Sequence, residues 1–367
     1  MDKTKLSFLK KQLALRLENI KVQNFRNHKD IVLSFSDGFN TIVGNNGAGK
    51  TSLLEAISYL LLTKSFLTSS EKTMLNVEAD FFLLEAGIDE KKVRIAYQEG
   101  KKQIFVNEEK IQKLSDYYGL FNAVWICPND IDLIQGNSEG RRKFLDRHIA
   151  QINEQYLMDL LGYKKYLQRR NAYLKSLGNS TPDHNLLDIY DEKLIYLGSK
   201  IAKSRQVFIN DLIDSFRKNY KKISEIDEQV NIIYESQALK DSFSNNLKQN
   251  RFSDIAAKRT LLGVHKDEVI FYTLGMHTKI QASQGQIKNF VVALKCAVFQ
   301  LIMKKKKQMP ILLIDDLNDR LDLFRLKNFI AYLSNFQDAQ IIITDTREET
   351  LSEIFSSLKL QNKLIRL

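Results

Sequence analysis

The stretch Gly44-Asn45-Asn46-Gly47-Ala48-Gly49-Lys50-Thr51 decides the fold. It fits G-x-x-x-x-G-K-[ST] at every fixed position. An apolar segment, residues 39–43, runs into it, and a second, residues 52–62, leaves it. That context predicts strand, tight loop and helix. The glycines let the backbone curl so that its N–H groups point at phosphate oxygens, and the N-terminus of the helix adds partial positive charge. Lys50 is placed to reach the β- and γ-phosphates, and the Thr51 hydroxyl to hold Mg²⁺. Ser52 continues the cradle into the helix. The expected ligand is ATP with Mg²⁺.

Working outward, residues 15–25 and 31–35 read as strands, with Ser36-Asp37-Gly38 as the turn before the loop strand. Residues 81–106 read as strands joined by turns at Asp89-Glu90 and Glu99-Gly100, and 124–127 as a short buried strand ended by Pro128. From about residue 140 the texture becomes helical. Segments 141–177 and 187–220 are long and amphipathic, separated by the polar stretch 178–185. Strand signals return near Val230, with candidates at 269–272 and 279–280, and 291–303 reads as a helix. The fully apolar runs 311–314 and 341–343 suit central strands of a sheet covered on both faces. The predicted class is α/β, a P-loop ATPase head with an inserted helical lobe. Its expected parts are 15–139 (head, with the phosphate loop), 140–255 (helical insertion) and 256–367 (the rest of the head).

Ile311-Leu312-Leu313-Ile314-Asp315-Asp316 ends a buried strand in two carboxylates. Such a strand end belongs at the carboxyl edge of the sheet, beside the phosphates. Asp315 is expected to orient Mg²⁺, and Asp316 to orient or deprotonate the attacking water. Ser283-Gln284-Gly285-Gln286 opens a helix and offers a second N-terminus that could face a phosphate, although read from the residues alone a simply capped helix is the usual account.

The 367 residues carry 55 Lys and Arg against 44 Asp and Glu, a formal net charge of +11. That favours a polyanionic partner without choosing between nucleic acid and an anionic membrane. The two cysteines, Cys127 and Cys296, sit in apolar contexts with no metal-binding spacing and are expected to be buried thiols in a reducing cytoplasm. Lys295 interrupts the longest apolar run, so no membrane span is expected. Residues 1–13 carry lysines but no apolar core of a signal peptide, and read either as a short extension or as an early start.

The order of these segments resembles that of the ABC/SMC-type ATPases, and their wording resembles the RecF family. Asn24-Phe25-Arg26-Asn27 is similar to the family's opening strand. Pro128-Asn129-Asp130 and the following residues, Arg141-Arg142-Lys143-Phe144-Leu145-Asp146, and Gly263-Val264-His265-Lys266-Asp267-Glu268 are similar to three further family segments. Ser283-Gln284-Gly285-Gln286 matches the family's S-Q-G-Q signature. Asp315-Asp316 through Asp322 matches its acidic strand and D-loop. The resemblance implies Arg26, Ser283, Gly285, Gln286 and Asp322 as further nucleotide-binding residues, with Asp316 and Lys50 as catalytic ones. It implies an ATP-dependent homodimer, in which the signature of one copy faces the nucleotide of the other. It also implies binding of duplex and gapped DNA, and work with RecR, RecO and RecA in recombinational repair, DNA replication and the SOS response.

Asn318-Asp319-Arg320 departs from the family's commoner D-loop, and Thr344 or Thr346 stands where transporter-type ATPases carry a switch histidine. Asp316 is one methylene shorter than the glutamate of those enzymes, so hydrolysis is expected to be slow, a release step rather than a metabolic activity. Lys164, Lys165, Arg169, Arg170 and residues 304–307 are candidate DNA contacts, although a solvated helix face accounts for each cluster as well. Three alternatives are weighed. A metabolic P-loop kinase requires a substrate site and no signature segment, and Ser283 to Gln286 argues against it. An SMC-like structural ATPase requires a long coiled coil, and residues 141–250 lack sustained heptads. An overcoming-lysogenization-type ATPase of phage defence requires a nuclease domain, and no spare acidic cluster follows the motifs.

Overall fold

A computed structural model describes residues 14–68, 70–178, 180–316, 323–336 and 338–367. Asp322 and its D-loop neighbours, residues 317–321, lie outside the described residues, as does the 1–13 segment.

The chain divides into two compact units. One runs to Asp130 and takes in Lys222–Glu225 and Lys288–Leu367. The other comprises Ile131–Lys221 and Ile226–Ile287. The limits expected for the helical insertion, 140 and 255, both fall inside the second unit, because the segment after residue 255 contributes a strand to that unit's own sheet.

The first unit holds two sheets. Strands β1 (Leu17–Phe25), β2 (His28–Ser34), β4 (Phe81–Ile88), β5 (Lys91–Gln98), β6 (Lys101–Val106) and β7 (Glu109–Lys110) form an antiparallel sheet in the order β2-β1-β4-β5-β6-β7. Three of its two-residue turns, Asp89-Glu90, Glu99-Gly100 and Asn107-Glu108, have positive φ at every residue. That is the twist that suits a hairpin. The third of these turns carries no glycine and was not expected.

The second sheet is parallel, in the order β14-β3-β13-β12-β8. Its strands are β3 (Phe39–Val43), β8 (Ala123–Ile126), β12 (Ile311–Ile314), β13 (Ile341–Asp345) and β14 (Asn362–Arg366). Every residue of β3, β8, β12 and β13 is buried, the apolar runs of β12 and β13 together with the polar Asn40, Thr41, Thr344 and Asp345. The helix Lys50–Leu62 buries Leu53, Leu54, Ala56, Ile57, Leu60 and Leu61 in the core shared with both sheets. Each such leucine or isoleucine stabilises the fold by about 2 kcal/mol.

The helix Gln284–Lys306 is long and apolar enough to cross a membrane by length and composition, but 78% of its apolar window is buried inside the protein. Its one interior cation is accommodated. Lys295 pairs with Asp130 at 2.8 Å and donates to the Trp125 carbonyl at 2.9 Å. Asp130 also accepts from the Cys127 amide at 2.7 Å. Both cysteines are buried thiols outside any disulfide, as their contexts predicted.

The second unit contains the helices Ser138–Ile152, Glu154–Ser176 and His184–Ser224, and a small sheet β11-β10-β9 from Val230–Glu235 (β9), Glu268–Thr273 (β10) and Met276–His277 (β11). Residues 279–280, expected as a strand, lie instead in the short helix Thr278–Gln281. An alternation over two residues carries too little pattern to separate the two states.

Two buried arginines organise this unit. Arg170 binds Asp191 at 2.8 Å and Asp254 at 2.7 Å, with no solvent exposure on any of the three side chains. Buried in this way, Arg170 drops out of the candidate DNA contacts and is not on a solvated face either, whereas its neighbours Lys164, Lys165 and Arg169 are exposed. Arg205 binds Asp146 and Asp267, each at 2.8 Å. The Gly263–Glu268 motif packs here too. A Cβ on Gly263 (φ +128°) would collide with the Tyr163 hydroxyl.

Candidate functional site: a phosphate-loop cleft

The topology places the ends of three parallel strands side by side. In the sheet, β13 lies between β3, which feeds the phosphate loop, and β12, which carries the acidic pair. The register pairs Thr344 with Ile42 and Ile343 with Ile314, so Thr344 sits between the loop and the carboxylates. Asp315 Oδ1 accepts from the Thr51 hydroxyl at 3.0 Å and from the Thr344 hydroxyl at 2.7 Å. Thr344 Oγ1 in turn accepts from the Asp316 amide at 3.1 Å. Asp316 has φ +47°, a conformation uncommon outside glycine that turns the chain away from the strand direction. Asp315 is buried, and Asp316 half-buried.

Lys50 is folded onto its own loop, donating to the carbonyls of Gly44 at 2.7 Å and Asn45 at 2.9 Å. The Ala48 amide closes the loop on Asn45 O at 3.1 Å. Gly47 and Gly49 have φ of +85° and +97°, which the curl requires.

The β1–β2 hairpin straps the loop in place. Its two-residue turn is Arg26-Asn27, between paired Phe25 and His28. Asn27 Nδ2 donates to Gly47 O at 3.3 Å, and His28 Nε2 lies 3.0 Å from Gly49 O. Arg26 grips the buried Glu55 of the following helix with two hydrogen bonds and donates to Thr73 O at 2.6 Å. Ser65 Oγ donates to the same Glu55 carboxylate. Sequence reasoning placed Arg26 here but missed Asn27 and His28. Their signal was the run Asn27-His28 beside Arg26, which no phosphate-loop pattern includes.

These residues line a cleft of about 770 Å³. Asn46, Gly47, Gly49, Lys50, Thr51 and Ser52 form one wall, and Asp315, Asp316, Thr344 and Thr346 close the sheet end. Arg26, Asn27 and Lys29, followed by Leu75 and Val77, form the opposite side. Gly44, Asn45 and Ala48 act from behind, as the hydrogen bonds above show. The donor set fits a Mg²⁺–phosphate group. A hydroxyl that gives its hydrogen to Asp315 keeps its lone pairs for a cation. Mg²⁺ takes few protein ligands and completes its shell from phosphate and water. Among the described residues no cluster of three or more His, Cys, Asp or Glu competes as a metal site.

The predicted signature belongs to the second unit. There Ser283 Oγ accepts from the Gln286 amide at 3.2 Å while Gln286 Oε1 accepts from the Ser283 amide at 2.8 Å. This is a reciprocal capping box, in which each residue satisfies the other's open backbone group. Gln286 Nε2 donates to Glu228 at 2.9 Å. Gly285 lies within the box.

Residues 16–364 match the RecF/RecN/SMC N-terminal domain family. The DNA replication and repair protein RecF of Cytophaga hutchinsonii is 36% identical over 346 residues, 93% of this chain and 92% of its own length. The chain belongs to the RecF family. The RecF of Phocaeicola vulgatus is 34% identical over 355 residues, covering 95% of each chain. A solved structure of the recombination mediator protein RecF-ATPrS in the RecFOR pathway superposes with a TM-score of 0.86 at 30% identity, over 96% of both chains. A structure of RecF-ATP in the same pathway gives 0.85 at 32% identity, over 92% of this chain and 95% of its own. An Smc head domain from Pyrococcus furiosus, at 17% identity and a TM-score of 0.53, covers 92% of this chain and 91% of its own, and shows the shared head fold alone. The expected ABC/SMC-type α/β class and the RecF resemblance are thereby established. As a RecF-family member the protein serves DNA replication and repair.

Proposed function

We propose that this protein is an ATP-switched DNA-binding protein of recombinational repair, acting in the cytoplasm. The observation that carries the reading is the convergence of Lys50, Thr51, Asp315 and Asp316 on one cleft through Thr344. ATP lies with its phosphates along residues 44–52, and Lys50 exchanges its loop carbonyls for the β- and γ-phosphates. Arg26 stands at the hairpin side of the same cleft. Thr51, with Asp315 behind it, holds Mg²⁺, which neutralises charge developing on the phosphates. Asp316 orients the attacking water. The water oxygen bonds to the γ-phosphorus as the bond to the bridging oxygen breaks. ADP leaves with that electron pair, and the water's proton passes to Asp316 and on to solvent. With a short aspartate in this position turnover is slow, and hydrolysis serves as a timer.

ATP joins two copies, with Ser283, Gly285 and Gln286 of each facing the nucleotide of the other. Loss of the γ-phosphate weakens the pair, so hydrolysis is the release step. The paired molecules bind duplex and gapped DNA through Lys and Arg contacts to phosphate. The net charge of +11 and the exposed Lys164, Lys165 and Arg169 support this contact. With RecR and RecO the protein aids RecA loading, and the RecFOR pathway named for the solved RecF structures supports RecR and RecO as partners. Sedimentation with ATP, with ADP and with gapped DNA, on wild type and Lys50→Met, tests the reading. ATP-dependent dimers that disappear in the variant support it. A monomer in every condition, with no affinity for DNA, would sink it.

A further inference from the structure

We propose that Thr344 is a positioning residue that assigns the two adjacent carboxylates their different tasks. The inference rests on the reading of the cleft as a nucleotide site and extends it to a residue on the strand between the two motifs.

Asp315 and Asp316 are chemically identical neighbours. What separates them is their surroundings. The buried Thr344 hydroxyl gives its hydrogen to Asp315 Oδ1 at 2.7 Å and takes the Asp316 amide hydrogen at 3.1 Å. A hydroxyl is one of few groups that can donate and accept at once. The donation holds the Asp315 carboxylate, on the same oxygen that Thr51 reaches at 3.0 Å, facing the phosphate loop. The acceptance holds the backbone of Asp316, which has φ +47°, where the chain breaks from the strand. Both Asp residues and Thr344 line the same cleft.

The sheet order is what makes this possible. Because β13 lies between β3 and β12, the residue after Ile343 falls level with the residue after Ile314. A valine there would fill the same space and offer neither hydrogen bond. A serine would keep both. Thr344 touches neither phosphate nor water in this account, and acts through Asp315 and Asp316.

Three proteins decide the matter: wild type, Thr344→Val and Thr344→Ser. Two quantities are read, the affinity for a fluorescent ATP analogue and the single-turnover rate of γ-phosphate release, each across a Mg²⁺ titration. Removing an outer-shell partner of a metal ligand typically lowers metal affinity or activity by about 10–100-fold. The Val variant is expected to bind the analogue within about twofold of wild type, while its Mg²⁺ midpoint rises and its rate falls by about tenfold or more. The Ser variant is expected to match wild type in both. Wild-type rate and Mg²⁺ midpoint in the Val variant would overturn the assignment, as would a Ser variant as damaged as Val. Should the Val variant fail to bind the analogue at all, the Ser variant alone decides, since loss of its Mg²⁺ response would show that the hydroxyl is not what matters. Wild type that binds no analogue would instead overturn the nucleotide reading of the cleft and this assignment with it.

Discussion

Arg26 and Glu55 meet fork to fork, Nε to Oε2 at 2.8 Å and Nη2 to Oε1 at 2.9 Å, and Glu55 is wholly buried beneath them. The pair ties the tip of the β1–β2 hairpin to the helix that follows the phosphate loop. Removing one partner of a buried pair costs about 3–5 kcal/mol, because the other charge stays in the interior. Arg26 keeps some contact with solvent, and Ser65 still donates to Glu55, so Arg26→Ala is expected to cost about 2–3 kcal/mol, below that range. The double variant Arg26→Ala/Glu55→Gln should recover part of the loss. Urea denaturation of the four proteins in the cycle measures it, and strictly additive losses would show that the pair is not coupled.

Gly47 and Gly49 separate conformational strain from collision. Both have positive φ, which costs a residue with a side chain about 1–2 kcal/mol. A Cβ at Gly47 meets open space, while one at Gly49 would lie 2.6 Å from the His28 ring and 2.7 Å from Asn27 Nδ2. Gly47→Ala should therefore fold with a modest loss of thermal stability. Gly49→Ala should also displace the hairpin and abolish binding of an ATP analogue. Equal melting temperatures for the two would count against the strap.

Neighbouring arginines on one helix should behave in opposite ways. Arg170→Ala leaves Asp254 buried without its cation and Asp191 with Arg251 alone, and is expected to destabilise the second unit by about 3 kcal/mol. Arg169→Ala should leave stability unchanged. If Arg169 meets a DNA phosphate, the salt dependence of duplex binding falls by about one unit of slope. Calorimetric unfolding and a salt titration of DNA affinity read the two effects separately.

His265 gives the second unit an acid sensitivity. It lies against Tyr163 at 2.8 Å and the Thr260 carbonyl at 3.0 Å. Burial, reinforced by repulsion from Lys266, Arg142 and Arg170, pulls its pKa down to about 4 from the usual 6.5. Between those two values the unfolded chain binds a proton that the folded one refuses. This contribution is intact above pH 6.5, declines as pH falls through that window and is gone below about 4. Wild type should thus lose more stability than His265→Gln between pH 7 and pH 4.5, measured by urea unfolding at each pH. Parallel losses would assign the acid response to other groups.

The core of the site was legible because its chemistry demands particular residues at fixed spacing. Residues 44–51 and the Asp315-Asp316 strand end could be read without a structure, and the cleft unites them. Thr344 was legible only as standing where transporter-type ATPases carry a switch histidine; its tie to Asp315 and Asp316 was not, since a hydroxyl at the end of an apolar strand has no pattern. Its meaning comes from the sheet order, which places β13 between β12, shortly before it in the chain, and β3, near the other end. The same limit explains Arg170. The sequence shows a basic cluster, but only the packing of three distant segments turns one of its members inward. Lys295 is the converse case, a charge in an apolar helix whose partner, Asp130, lies 165 positions earlier. The alternation at 279–280 was too short to distinguish strand from helix.

The parallel sheet has a consequence for how the molecule is made. The strand that feeds the phosphate loop pairs only with β13 and β14, and Thr41 donates to Asn362 across 321 residues of chain. On a ribosome adding about 5–20 residues per second, the loop strand must wait roughly 15–60 s for its neighbours. Through that interval residues 44–51 exist without the sheet that shapes them. A nascent chain thus acquires its nucleotide site late and all at once, so an unfinished molecule cannot engage ATP as a finished one would.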